Sequence, residues 1–346
     1  MAGPGNATSS ILSISSLTKR FGATAAVDNV SLDIRDGEFF TIVGPSGSGK
    51  STLIRILAGL EQPDSGQVSL RGKDLAGVPA NSRPTCMVFQ SLALFRHMTV
   101  GENVEFSQTV RGVPAAERRE RALANLRLVR LPTDYYDRKV TQCSGGEQQR
   151  VALARALASD PEILFFDEPL SAIDYRLRKI LEVEMKQLHR RTGKTFIYIT
   201  HSLEEAMVMS DRIAIMRDGQ LVQIGTPDEI YHRPASRFVA QFMGEVNIFT
   251  TSGGRIDELQ TGHADLNDGY LVVRPEQIRP DVQDADVSFE ARIESEFMLG
   301  SRSQYHLRVG DSIVIAELPN SAIQEIVVGE TARWGFRLGD STALEH

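Results

Sequence analysis

The sequence predicts two folds in series: an α/β unit built on a buried parallel sheet, then a small all-β barrel. Three observations carry that expectation. The stretch GPSGSGKST, Gly44 to Thr52, lies between the apolar run Phe39-Phe40-Thr41-Ile42-Val43 and a helix whose Leu53, Ile54, Ile56 and Leu57 are apolar on several sides. Ile163-Leu164-Phe165-Phe166 and Phe196-Ile197-Tyr198-Ile199 are short and continuously apolar, the form of strands covered on both faces. From about Gly244 helical periodicity gives way to short alternating stretches. At about 150 residues per domain, a chain of 346 residues holds roughly two.

The elements follow in order. From Ile14 to Phe40 apolar and polar residues alternate, most clearly at Val30, Leu32 and Ile34, and Asp36-Gly37 supplies a turn into the buried strand. Gly59 stops the helix after the glycine-rich loop. Thr99 to Leu131 reads as a helical insertion, with Pro114 starting AERRERALANLRLV and Leu123, Leu126 and Val129 at helical spacing. In the tail, YHLRVGDSIVIAEL turns at Gly310-Asp311, as a barrel hairpin does. The expected boundaries are 11–243 for the α/β unit, with a helical subdomain at about 91–157, and 244–343 for the barrel.

A net charge of -7, from 38 Lys plus Arg against 45 Asp plus Glu, advertises no nucleic-acid or anionic-membrane surface. MAGPGNATSS has neither the basic head nor the apolar middle of a secretory signal, and no apolar stretch is long enough to span a bilayer. Cys86 and Cys143 lack CxxC spacing and suit a reducing compartment, so the expected location is cytosolic. The first ten residues read as a flexible lead and Leu344-Glu345-His346 as the stub of a tag.

Gly44 to Ser51 fits G-x-x-x-x-G-K-[ST] at every fixed position. In such a P-loop the backbone N–H groups of Ser46, Gly47, Ser48, Gly49 and the first helical residues through Thr52 close on phosphate oxygens. Lys50 neutralises the β and γ phosphates, and Ser51 can ligate magnesium. Asp167 ends an apolar strand at the sheet edge where ligands bind, placed to hold that magnesium; Glu168 can act as general base on water. In Thr141-Gln142-Cys143-Ser144-Gly145-Gly146-Glu147, Ser144 and Glu147 make a capping box. Two glycines in the first turn weaken a helix by up to about 1 kcal/mol each, so close backbone approach by a phosphate is the natural reason for them.

With these motifs in this order, the sequence resembles the ATPase subunits of ATP-binding cassette (ABC) transporters along essentially its whole length. The resemblance implies a P-loop NTPase with a RecA-like core, an antiparallel β region and a helical subdomain, followed by an OB-like barrel called the TOBE domain. It implies that ATP and Mg2+ are held between two chains, Ser144, Gly145 and Gly146 of one closing on the P-loop of the other. It also makes Phe21 the aromatic stacked on adenine and Gln90 a magnesium-sensing residue that opens a stretch, to Phe106, docking two polytopic permease subunits. Asp174, in Ser171-Ala172-Ile173-Asp174, belongs to the loop joining the two sites, and His201 contacts the γ-phosphate. A solute-binding protein outside the membrane completes the complex, and the ATPase sits on its cytoplasmic face.

The sequence departs from the family pattern at Cys143, Glu147, Ile173, Leu92 and Arg96, where Leu, Gln, Leu, Tyr and Pro are usual. An acid at Glu147 fits only if it points along its own helix. Val273-Arg274-Pro275-Glu276, Leu299-Gly300-Ser301, Leu318-Pro319-Asn320 and the single barrel with Trp334 look most like the spermidine/putrescine importers, with ferric-iron, sulfate and sugar importers as alternatives. A soluble ABC ATPase acting on nucleic acid is a remoter alternative, as is a P-loop kinase. One P-loop, no sustained heptads and an acidic balance speak against the first; the Ser-Gly-Gly turn and His201 speak against the second.

Overall fold

The structure, a computed structural model, describes residues 9–171, 173–280, 284–320 and 326–345; Ala172, His346 and the first eight residues of the expected lead lie outside the described residues. The chain divides into two compact units, Met1–Pro227 and Asp228–His346.

In the first unit, the alternating N-terminal stretch forms β1 (Ser10–Phe21) and β2 (Thr24–Arg35), and Gly37, at φ +72°, turns the chain into β3 (Phe39–Val43). Then follow α1 (Lys50–Leu57), β4 (Ser65–Leu70), β5 (Lys73–Asp74), β6 (Thr85–Val88), α2 (Val100–Val110), α3 (Ala115–Leu128) and α4 (Gly145–Ala158). The unit is completed by β7 (Ile163–Asp167), α5 (Tyr175–Thr192), β8 (Thr195–Ile199), α6 (Leu203–Met209), β9 (Arg212–Arg217) and β10 (Gln220–Gly225). One antiparallel sheet runs β2-β1-β4-β5 and a second sheet runs β10-β9-β3-β8-β7-β6. In the second sheet all pairings are parallel except the edge pair of β9 with β10.

Strand alternation sorts the side chains of this sheet onto two cores. Phe40, Ile42, Phe165, Ile197 and Ile199 pack with α1 and the antiparallel sheet, whereas Phe39, Leu164, Phe166, Phe196 and Tyr198 pack with the helical side. Both faces are therefore dry, which is why these runs read as continuously apolar. Each such side chain contributes about 1.5–3 kcal/mol relative to exposure, so a polar group in the middle of the strand is strongly disfavoured. The polar chemistry of β3, β7 and β8 is pushed to their ends.

The second unit begins upstream of the expected Gly244. After α7 (Pro227–His232) and α8 (Arg237–Phe242) come β11 (Asn247–Ser252), β12 (Arg255–Ile256), β13 (Thr261–Gly262), β14 (Gly269–Val273) and β15 (Arg279–Pro280). The remaining strands are β16 (Val287–Met298), β17 (Arg302–Val309), β18 (Ser312–Pro319), β19 (Thr331–Phe336) and β20 (Thr342–Leu344). Two sheets, β13-β12-β11-β14-β20 and β15-β19-β16-β17-β18, curl around one core that contains Phe249, Tyr305, Trp334 and Phe336. The hairpin at Gly310-Asp311 joins β17 to β18 as predicted. Leu344, set aside as tag, pairs with Tyr270 in β20, and Ser10 of the lead pairs with Arg35 in β1.

Arg274 explains where the second unit starts. It is 2% exposed, and its guanidinium donates to the carbonyls of Tyr231 and Ala240 at 3.0 Å each and of Glu245 at 3.3 Å, tying the ends of α7 and α8 to the strand that precedes it. Arg274→Ala leaves those carbonyls without their donor and is expected to cost about 3 kcal/mol. Calorimetry of the full chain should show the transition of the second unit moving to lower temperature while that of the first stays in place.

Candidate functional site

β8 lies between β3 and β7, so the loops leaving the C-terminal ends of these three strands are neighbours. They are the P-loop, Asp167-Glu168 and His201. Gly49 shows why the loop needs glycine: its φ is +102°, and a Cβ there would lie 1.9 Å from the carbonyl oxygen of Ala26. Ser46 and Gly47 are exposed at the loop tip, Ser48 and Lys50 are buried, Ser51 is exposed, and Thr52 is half-buried on the first turn of α1. The Lys50 ammonium donates to the carbonyls of Gly44 at 2.9 Å and Pro45 at 2.8 Å and to the Ser48 hydroxyl at 3.3 Å. Burial lowers its pKa, against the opposing pull of Glu168 and Asp167.

The Ser51 hydroxyl donates to Asp167 Oδ1 at 3.3 Å. Burial raises the Asp167 carboxyl above the usual range and Glu168 adds to the effect, while the Ser51 bond opposes it. Among the described residues no group of three His, Cys, Asp or Glu side chains forms a metal site. A hydroxyl and one carboxylate nevertheless fit Mg2+, which keeps several waters and takes oxygen ligands from one or two side chains plus phosphates. At Glu168 the backbone adopts φ +45°, a left-handed conformation that is costly for a residue with a Cβ. Its carboxylate Oε2 lies 3.2 Å from His201 Nδ1.

Phe21, Gln90 and Asp174 lie on other segments of the chain. Phe21 ends β1 with its ring 52% exposed and the Lys19 ammonium 5.3 Å from its centroid. The Gln90 amide donates to Ser171 Oγ at 3.0 Å, and that hydroxyl donates to the Glu168 carbonyl at 2.9 Å, so Gln90 is joined to the Asp167-Glu168 loop through one side chain. Asp174 caps α5, its Oδ1 accepting the Leu177 N–H at 3.0 Å. Ser202 and Glu205, which follow His201 at capping-box spacing, form only half such a box: Ser202 accepts the Glu205 N–H, but the carboxylate accepts the hydroxyls of Tyr198 and Thr200 at 2.8 Å each. Those hydroxyls are buried and need the acceptor more than a solvated helix end does.

Ser144, Gly145 and Gly146 form the first turn of α4. Ser144 Oγ takes the N–H of Glu147 at 3.4 Å; the amides of Gly145, exposed, and Gly146, buried, have no intrahelical acceptor at the positive helix end. A Cβ on Gly145 would meet nothing within 4 Å, so the chain's own packing does not demand that glycine; at Gly146 a Cβ would press on Leu177. Among the described residues no hydrogen bond or ion pair joins this turn to the P-loop.

The Glu147 carboxylate folds back on its own helix, as the capping box predicts, taking the Ser144 N–H at 2.7 Å. Two contacts through space escaped sequence reasoning. The Tyr135 hydroxyl donates to that same carboxylate at 2.8 Å. The Arg155 guanidinium, far along α4, donates to the carbonyls of Leu92 and Ala93 at 2.7 Å each. Those two residues hold φ of +59° and +48°, so the strained loop after Gln90 is tied to the helix that begins at Ser144-Gly145-Gly146.

The fold and these strand ends define a P-loop nucleoside triphosphatase. Residues 27–171 match the family model for the ABC transporter and residues 271–344 that for the TOBE domain. The spermidine/putrescine import ATP-binding protein PotA of Thermobifida fusca is 46% identical over 318 residues, 86% of this chain and 83% of that protein. Its namesake from Mesorhizobium japonicum is 42% identical over 341 residues, 93% and 90% of the respective chains. A dimeric bacterial ABC transporter cassette aligns with a TM-score of 0.56 and 33% identity, covering 62% of this chain and 98% of its own. The chain belongs to the ATP-binding subunits of ABC transporters, a family that binds ATP.

The Ser144 N–H and Tyr135 hydroxyl hold the Glu147 carboxyl below the usual carboxylate range. The stabilisation that follows from a depressed value is complete above the unfolded pKa of about 4.3 and is lost as pH falls through the folded one. Urea midpoints followed from about pH 5 to 3 should therefore drop less steeply for Glu147→Gln than for the parent chain; parallel curves would show the bonds to be without weight.

Proposed function

We propose that this chain is the ATP-hydrolysing subunit of a membrane importer for small polyamines of the spermidine/putrescine class. Two copies bind two ATP molecules between the P-loop of one and Ser144-Gly145-Gly146 of the other. The observation that carries the reading is the meeting of Lys50, Ser51, Asp167, Glu168 and His201 at one edge of the parallel sheet. Relatives named as spermidine/putrescine import ATP-binding proteins, alignable over most of the chain, support the choice of solute.

In this mechanism the P-loop amides and Lys50 gather the phosphates, and Phe21 stacks on the adenine. Ser51 and Asp167 would hold Mg2+, which offsets phosphate charge. Glu168 accepts a proton from the attacking water, and His201, in contact with it, orients the carboxylate and reaches the γ-phosphate. Closure around the triphosphate moves two permease subunits docked near Gln90 to Phe106. The Arg155 fork passes that motion between α4 and the loop. Asp174 positions the loop between the two sites, and Gln90 would sense the magnesium beside Ser51 and Asp167. Among the described residues no helix is long and apolar enough to cross a membrane; the chain is held at the cytoplasmic face through the permease, and a solute-binding protein delivers the polyamine from outside. The second unit braces or regulates the dimer.

Glu168→Gln keeps the size and hydrogen-bonding reach of the side chain but removes the base. It should lower ATP turnover by about 10²- to 10⁴-fold while leaving nucleotide binding intact. Phosphate release at the parent rate would remove Glu168 from the role.

A further inference from the structure

A carboxylate in the first turn of α4 has two opposite consequences. It favours the helix, because negative charge is stabilised at the positive end of the dipole. It also sits on the same turn as the Gly145 and Gly146 amides, where it repels an incoming phosphate and competes for its donors. Glu147 follows those two glycines directly in the chain, and its carboxylate already reaches the Ser144 N–H just before them.

Both of its oxygens are occupied. Oε2 accepts the Ser144 N–H at 2.7 Å, and Oε1 accepts the hydroxyl of Tyr135 at 2.8 Å. The first bond is local to the cap. The second comes from a different element, the 3₁₀ turn Thr133–Asp137, and its donor is itself fixed. The Tyr135 ring packs on the helical core, and the Arg138 guanidinium lies 3.5 Å from its centroid. A neutral hydroxyl on a clamped ring directs the carboxylate without occupying the amides, and Arg138 places a compensating charge on the same side.

We propose that Tyr135 is a positioning residue for the phosphate clamp: its hydroxyl draws the Glu147 carboxylate back along α4, so that the Gly145 and Gly146 amides are free to meet a triphosphate held by a second copy of this chain. This rests on the two-copy reading given above. Tyr135 does not touch the nucleotide; it acts only through Glu147. Its hydroxyl therefore matters only while residue 147 is charged, which a purely structural tyrosine would not show.

The test uses the full-length chain carrying Glu168→Gln, whose slowed turnover preserves bound ATP on the two-copy reading, and reads by sedimentation the Mg-ATP concentration that half-converts monomer to dimer. Tyr135→Phe keeps the ring under Arg138 and frees Oε1. It should raise that concentration about tenfold, the scale of one like-charge contact near a surface. Adding Glu147→Gln to Tyr135→Phe should bring it back to within about twofold of the parent, since no charge is left to restrain. An unchanged midpoint in Tyr135→Phe overturns the proposal. So does a shift that Glu147→Gln fails to rescue, which would make the hydroxyl a packing or folding element. If the parent itself binds Mg-ATP yet stays monomeric, the two-copy reading fails and takes the proposal with it, an outcome distinct from the other two.

Discussion

A strand buried on both faces can carry polar chemistry only at its ends, and that constraint governs the first unit. β3, β7 and β8 are buried over nearly their whole length, each dividing its side chains between two separate cores. Because they run parallel and adjacent, their C-terminal ends coincide in space. The P-loop, Asp167-Glu168 and His201 meet for that reason. Helix α1 then adds an oriented row of amides with Lys50 in its first turn, and the result is a cationic, donor-rich edge facing a pair of carboxylates.

That much was legible in the sequence because it is local: strand, loop and helix follow one another within about a dozen residues, and the chemistry sits where one element becomes the next. The two-faced burial of Ile163 to Phe166 and Phe196 to Ile199 could be read from their unbroken apolarity. What could not be read is the outcome of competition. Thr99/Glu102, Ser144/Glu147 and Ser202/Glu205 have the same capping-box spacing, and the first two close reciprocally. The third does not, because Tyr198 and Thr200 bring buried hydroxyls to Glu205 from a neighbouring strand. Similarly, the fading of helical period near Gly244 marks the first barrel strand at Asn247 but not that α7 and α8 belong to the same compact unit. The start of that unit is fixed by the buried Arg274, whose partners lie some thirty to forty residues back along the chain.

The phosphate-binding groups proposed for the first unit are split. One set surrounds Lys50; the other is the turn at Ser144-Gly145-Gly146, whose Gly145 faces empty space and whose neighbouring acid Glu147 accepts the Tyr135 hydroxyl. A helix end kept clear in this manner, on a chain belonging to the ABC ATP-binding subunits, is suited to an anion that arrives from outside its own protomer. The Arg155 fork links that same helix to the loop after Gln90, the physical connection through which the proposed clamp would act on a docked membrane partner.

The most direct measurement of this division is nucleotide trapping by mixed dimers. In the Glu168→Gln background, chains carrying Lys50→Ala are combined with chains carrying Ser144→Arg, and bound ATP is counted after gel filtration. Each variant alone should trap none, whereas the mixed dimer contains one intact composite site and should retain one ATP. Retention by the Ser144→Arg chain on its own, or none by the mixture, would contradict a clamp assembled from two copies.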